Sequence, residues 1–218
     1  MLNLFPQKAA ALALVVLAAF TAPALRADEV LLTNMSGTDY GYGYVSSSTF
    51  RAFSFTTSGT SFNITSVTMR LFDYDTSADS SDIRLSIQVN SGSNTPSGTI
   101  YGVLAAPAAG GGGYESFVFT PESAITLAGN TLYWLVISST SSSESFAWAR
   151  SNGAEQTPTG IATPGQQFIS DNGNAGWHEG NDGPHKFEIQ GNSVPEPATC
   201  ALAGVGFGLA VWMMRRRG

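Results

Sequence analysis

The chain is short of the side chains that most chemistry needs. It has one cysteine, Cys200, and two histidines, His178 and His185. Cys200 lies in an apolar run near the C-terminus, so no disulfide can staple the remainder. No Gly-x-Ser-x-Gly elbow is present and the lone thiol is buried in that run, so nucleophilic catalysis lacks its usual parts. There is no phosphate-cradling glycine loop and no stripe of basic and aromatic residues. Charge is scarce at 12% of residues, and cations are scarcer still in the middle of the chain. Between Asp28 and Ser193 there are five basic and fifteen acidic residues, a balance of −10. An acidic body excludes nucleic acid, whose binders are basic. Helical three-four spacing persists nowhere in that body.

What is present is concentrated at the two ends. Residues 1–27 have the layout of a secretory signal peptide: Lys8, an unbroken apolar run from Ala9 to Phe20, then small residues. Ala27 is the favoured cleavage position, with Ala24 as the alternative. The far end, residues 193–218, has three blocks in fixed order. Val194-Pro195-Glu196-Pro197 is rigid, because proline fixes φ and continues neither helix nor strand. That predicts an extended, accessible segment. Ala198 to Met214 carries no charge. As a helix it would span about 25 Å, slightly less than a hydrocarbon core of about 30 Å. Arg215, Arg216 and Arg217 follow, and arginines stay on the cytoplasmic side.

This tail resembles the PEP-CTERM sorting signal of bacterial surface proteins. The resemblance covers the last tenth of the chain. It implies that an exosortase-type membrane enzyme reads the tail, that the inner membrane holds the precursor transiently, and that the product reaches the cell surface or the extracellular space. Such proteins often accompany exopolysaccharide, which the resemblance makes a candidate partner. An ordinary membrane anchor would need no Pro-Glu-Pro and would be nearer about 20 residues long.

Residues 28–192 read as strands. Ile83, Leu85, Ile87 and Val89 alternate with Arg84, Ser86, Gln88 and Asn90, the period-two signature of one buried face. Phe53 and Phe55 oppose Ala52 in the same way, and a register shift near Ser66 suggests a bulge within Phe62–Tyr74. Leu132 to Ile137 is apolar on both faces, which predicts a central strand covered on both sides. Tyr40-Gly41-Tyr42-Gly43-Tyr44 reads as a turn or loop. Thr99–Ala105 and Tyr114–Thr120 read as a pair joined by Gly110–Gly113. Ser151–Pro184, rich in Gly, Asn and Pro, reads as irregular. Eight to ten short strands with frequent turns predict an all-β fold: one β-sandwich, jelly-roll-like, flanked by the signal peptide and a C-terminal transmembrane helix.

Three stretches carry a second resemblance: Phe53–Thr57, Ile64–Thr68 and Gly129–Ile137. They are similar to the choice-of-anchor domains of bacterial surface proteins, of the R type. That family implies no reaction.

Several clusters are candidate sites. Asp73, Asp75, Asp79 and Asp82 could offer oxygen ligands to Ca²⁺, the one cofactor the body could hold, but the stretch lacks the glycine and final acid of a calcium loop, so a solvated acidic loop is the better reading. His178, Glu179, Asp182 and His185, with Trp177 nearby, match no zinc spacing and read as a surface loop. Tyr40, Tyr42 and Tyr44, with Trp148 and Trp177, are candidates for stacking on sugars, whereas Trp148 reads as core. Asn34-Met35-Ser36 and Asn63-Ile64-Thr65 match the glycosylation sequon by coincidence. The sequence therefore predicts a non-enzymatic exported surface or matrix protein. The alternatives are a carbohydrate-binding module and, second, a glycan-active hydrolase with two carboxylates paired only in space.

Overall fold

A computed structural model describes residues 27–74, 80–107, 111–142, 146–152, 158–180 and 183–194. Residues 1–26, Asp75, Asp79, Asp182 and everything beyond Val194 lie outside those residues. The described part is all-β. Its strands are β1 (Glu29–Thr33), β2 (Asp39–Val45), β3 (Phe50–Thr56), β4 (Ser61–Asp73), β5 (Ile83–Asn90), β6 (Pro96–Ala105), β7 (Gly113–Pro121), β8 (Ile125–Leu127), β9 (Leu132–Ser139), β10 (Phe146–Ser151), β11 (Thr163–Ser170), β12 (His178–Glu179) and β13 (Phe187–Val194). A single 3-10 turn, Ser80–Asp82, precedes β5.

The strands fall into two hydrogen-bonded groups. In the first, β4 is the axis. One edge of β4 pairs with β13 and then, further along, with β10; the other pairs with β8 and then β7. Outside them, β1 pairs with β13 and β2 with β10. The second group runs β6–β5–β9–β3–β11–β12. All these pairings are antiparallel, and the groups touch through Leu104–Pro121 and Ala105–Thr120.

Alternation explains which face each group buries. Val67, Met69 and Leu71 of β4 point inward with Phe117 and Phe119 of β7. Phe53 and Phe55 of β3, Leu85 and Ile87 of β5, and Leu135 and Ile137 of β9 meet them from the other group. Phe53 and Phe187 lie 4.8 Å apart between ring centroids, so the groups face one another across one apolar core. Removing these large side chains from water is the main favourable term in the fold. In β1 a bulge between Val30 and Leu32 lets both Leu31 and Leu32 turn inward, which strict alternation forbids.

Strand β9 is central, between β3 and β5, as its apolar run predicts. Its second face carries Trp134 and Val136, covered with Ala52 by Phe50, Phe168 and Trp177. The bulge expected near Ser66 is there: Gln190 faces Ser66, but Gly191 faces Ile64.

Three expectations are corrected. Tyr40–Tyr44 is strand β2, not a turn, held by its full-length pairing with β10. β6 and β7 share only two residue pairs; β6 belongs to β5 and β7 to β4. The stretch Ser151–Pro184 contains β11 and β12, and β11 completes the edge of β3.

Candidate functional site

The repeat Tyr40-Gly41-Tyr42-Gly43-Tyr44 forms a strand whose faces differ sharply. Odd positions point inward with Val45, and even positions point out. The inward glycines make room for two arginines. An added Cβ at Gly43 would lie 2.1 Å from Arg51 Cζ, and one at Gly41 would lie 3.2 Å from Arg150 Nη2. Arg51 is buried and donates through Nε to the Tyr44 carbonyl at 2.8 Å.

On the outer face, β10 separates β2 from β4, and its outward side chains there are only alanines. Ala147 sits between Tyr44 and Phe72, and Ala149 sits beside Tyr42. Both alanines are sealed from solvent. Rings from β2 and β4 therefore lean across a low floor and meet. Tyr42 stacks on Phe72 with centroids 5.1 Å apart, and Tyr44 stacks on Tyr74 at 5.6 Å. Tyr42 meets Tyr74 edge-on at 5.3 Å. Tyr114 of β7 meets Phe72 edge-on at 4.8 Å, and the Arg70 guanidinium lies 5.9 Å from the Tyr114 ring centre. Tyr44 and Tyr74 keep 39% and 40% of their surface open, and Tyr40 at the end of the row keeps 75%.

Burial, and then hydrogen bonding to the Tyr42 and Tyr44 hydroxyls, pushes the Tyr74 phenol far up, so it stays neutral. Tyr114 is also raised, by burial first and then by the charge of Asp39. Asp39 binds Arg70 at 3.0 Å and Lys186 at 2.8 Å. Burial alone would raise the Asp39 carboxyl, but hydrogen bonds and charge from Lys186 and Arg70 outweigh that and hold it below its ordinary value. One half-buried carboxylate thus serves both Arg70 and Lys186.

The sequence singled out Tyr40, Tyr42 and Tyr44, and the structure puts all three on this face. It missed Phe72, Tyr74 and Tyr114. Phe72-x-Tyr74 was a legible signal, because two aromatics at spacing two on a strand share a face. Trp148 belongs to the core, with Nε1 donating to the Lys186 carbonyl at 2.9 Å. Trp177 sits apart from the tyrosines, over the outer side of β9 and β3.

Asp73 is buried, and Asp82 accepts from the Thr140 hydroxyl at 2.8 Å. Asp75 and Asp79 lie outside the described residues. Among the described residues no group of three metal-binding side chains exists. The two imidazoles are not one site. His178 is exposed on β12, whereas His185 is buried against Trp148 at 4.6 Å, its Nδ1 2.6 Å from Gln167 Oε1. Burial, then the charges of Arg51 and Arg150, holds the His185 imidazole well below its ordinary value. That corrects the expectation of a surface loop for His185. Asn34 is sealed inside, accepting from the Phe187 amide at 2.9 Å, so its sequon is unavailable to any glycan.

The C-terminal junction is tight. β13 ends with Ser193 opposite Phe62 and Val194 opposite Ser61. Of the segment expected to be extended and accessible, only Val194 is described, and it is the last residue of β13, paired with β4. The N-terminal end arrives at the same place: Glu29 faces Gly191, and Asp28 accepts from the Thr65 hydroxyl at 3.0 Å. Pro195, Glu196, Pro197, the apolar run and Arg215–Arg217 lie outside the described residues.

Against known proteins, no curated sequence matches the chain. Residues 193–217 match the PEP-CTERM protein-sorting motif, which marks an exported protein, processed by an exosortase at the membrane and anchored there transiently before release.

Proposed function

We propose that this chain is a non-enzymatic surface or extracellular-matrix protein, in which the β domain is the cargo and the tail is the address. The observation that carries the reading is the sorting motif abutting β13 without a linker, at the end of the sheet where β1 also begins. A leader ending near Ala27 and a span at Ala198–Met214 would then leave the same end of the domain, so one fold can hang from both during export. The domain is read as a jelly-roll-like sandwich of the choice-of-anchor type. Among its described carboxylates, Asp39 is taken up by Arg70 and Lys186, and Asp82 by Thr140.

The test is to replace Pro195, Glu196 and Pro197 together by alanine and fractionate the cells. Export should persist while full-length chain accumulates in the inner membrane. Processing and release equal to the parent's would overturn the reading. A second reading, a carbohydrate-binding module within the same exported protein, is favoured by the outer face of β2, β4 and β7, where exposed tyrosines gather.

A further inference from the structure

Building on the surface-protein reading, we propose that Tyr42, Tyr44, Phe72, Tyr74 and Tyr114 form a platform for the pyranose faces of an uncharged polysaccharide. Three independent features select that occupant.

The first is composition. Four of the five rings carry a hydroxyl, and the floor beneath them is alanine. A ring face offers apolar contact to axial C–H bonds, while its hydroxyl reaches the sugar hydroxyls. Docking of a hydrophobic protein partner would call for aliphatic side chains among the rings; the exposed aliphatic on these strands, Val118, stands four residues along β7 from Tyr114.

The second is charge. Asp39 neutralises one of the two cations Arg70 and Lys186, which leaves this cluster with one net positive charge beside the rings. The surrounding body carries fifteen acidic against five basic residues, so a polyanionic chain would be repelled. An uncharged chain meets no such barrier.

The third is position. Val194 pairs with Ser61 at the start of β4, and Phe72 lies eleven residues further along the same strand. At about 3.3 Å per residue, the rings stand roughly 35 Å from the point where the chain leaves for the membrane. Interfacial tyrosines that serve a bilayer sit at headgroup level. These stand at the opposite end of β4 from the tail.

The experiment uses the full chain in a zwitterionic detergent without a sugar headgroup, run in native gels containing hydroxyethylcellulose, dextran or laminarin. Alginate is the polyanionic comparison. At least one neutral glucan should retard the protein and alginate should not. Tyr44→Ala and Tyr74→Ala, both at exposed rings, should each weaken retention about tenfold, the scale of one lost aromatic contact. Tyr44→Phe should keep most of it. Tyr101→Ala, at an exposed ring near the other end of the domain, should change nothing. No retardation by any of the three glucans, stronger retardation by alginate, or equal retention by the alanine variants would overturn the proposal. Processing of the same variants in cells separates the two ideas. Normal processing with lost retention supports both. Normal processing in the parent without retention sinks only the platform, and a parent that is never processed sinks the sorting reading.

Discussion

Gly43 lies directly beneath the Arg51 guanidinium, so close that a single methyl group on its α-carbon would stand 2.1 Å from Arg51 Cζ. This relationship explains the Tyr-Gly alternation of β2: rings outside, and no side chain inside where two arginines cross. Gly43→Ala must displace Arg51 and with it the bond to the Tyr44 carbonyl. The expected loss is about 1–3 kcal/mol, typical of overpacking. Gly41→Ala, with its nearest atom at 3.2 Å, should cost less. Thermal unfolding of the two variants checks the order, and equal midpoints would refute it.

Asp39 joins Lys186 and Arg70 across three strand segments. The Lys186 side chain is only 4% exposed, so Asp39→Ala would leave an almost buried ammonium with the Gly37 carbonyl as its remaining contact. Breaking such a pair from one side should cost about 3 kcal/mol. Denaturant midpoints at neutral pH measure this. Because the folded carboxyl is depressed, its contribution is present above the unfolded value near 3.8 and fades as pH falls below that point.

His185 acts in a different window. It is neutral and buried, and its affinity for a proton is well below that of the unfolded chain. The unfolded state therefore takes up a proton first as pH drops through about 6.5, and stability falls by up to about 1.4 kcal/mol per pH unit. Melting temperature should decline from pH 7 to pH 5 in the parent. In His185→Gln, which retains an amide to meet Gln167, the same interval should be nearly flat.

Asn34 ties β1 to the start of β13. Its Oδ1 accepts from the Phe187 amide, and its Nδ2 donates to the His185 carbonyl. Asn34→Ala strands both backbone groups inside, at a cost of about 2 kcal/mol or more. Amide exchange at Phe187 should accelerate. Unchanged exchange would mean the bond contributes nothing.

Period-two alternation made the buried faces of β3 and β5 readable, because burial on one side is written directly into residue order, and the unbroken apolar run of β9 marked it as covered on both sides. Strand partners were not readable. β6 and β7 are neighbours in the chain, yet each takes its main partner elsewhere, a choice decided by distant strands. Glycine misled at β2, since its frequent use in turns concealed its use here as a gap for arginine. β11 was concealed by Pro164, Gly165 and a bulge between Pro164 and Gln167, which break the alternation a strand would show. At the aromatic face, Tyr40–Tyr44 could be singled out as a local run. Tyr114 joins it only through the pairing of β4 with β7.

The central claim is that both ends of the chain are signals and only the part between them endures. Intact-mass measurement of the protein recovered from cell surface and medium tests this in one step. The account predicts a species beginning at Leu25 or Asp28 and lacking the stretch from Ala198 to Gly218. A mass equal to that of all 218 residues in that fraction would contradict it.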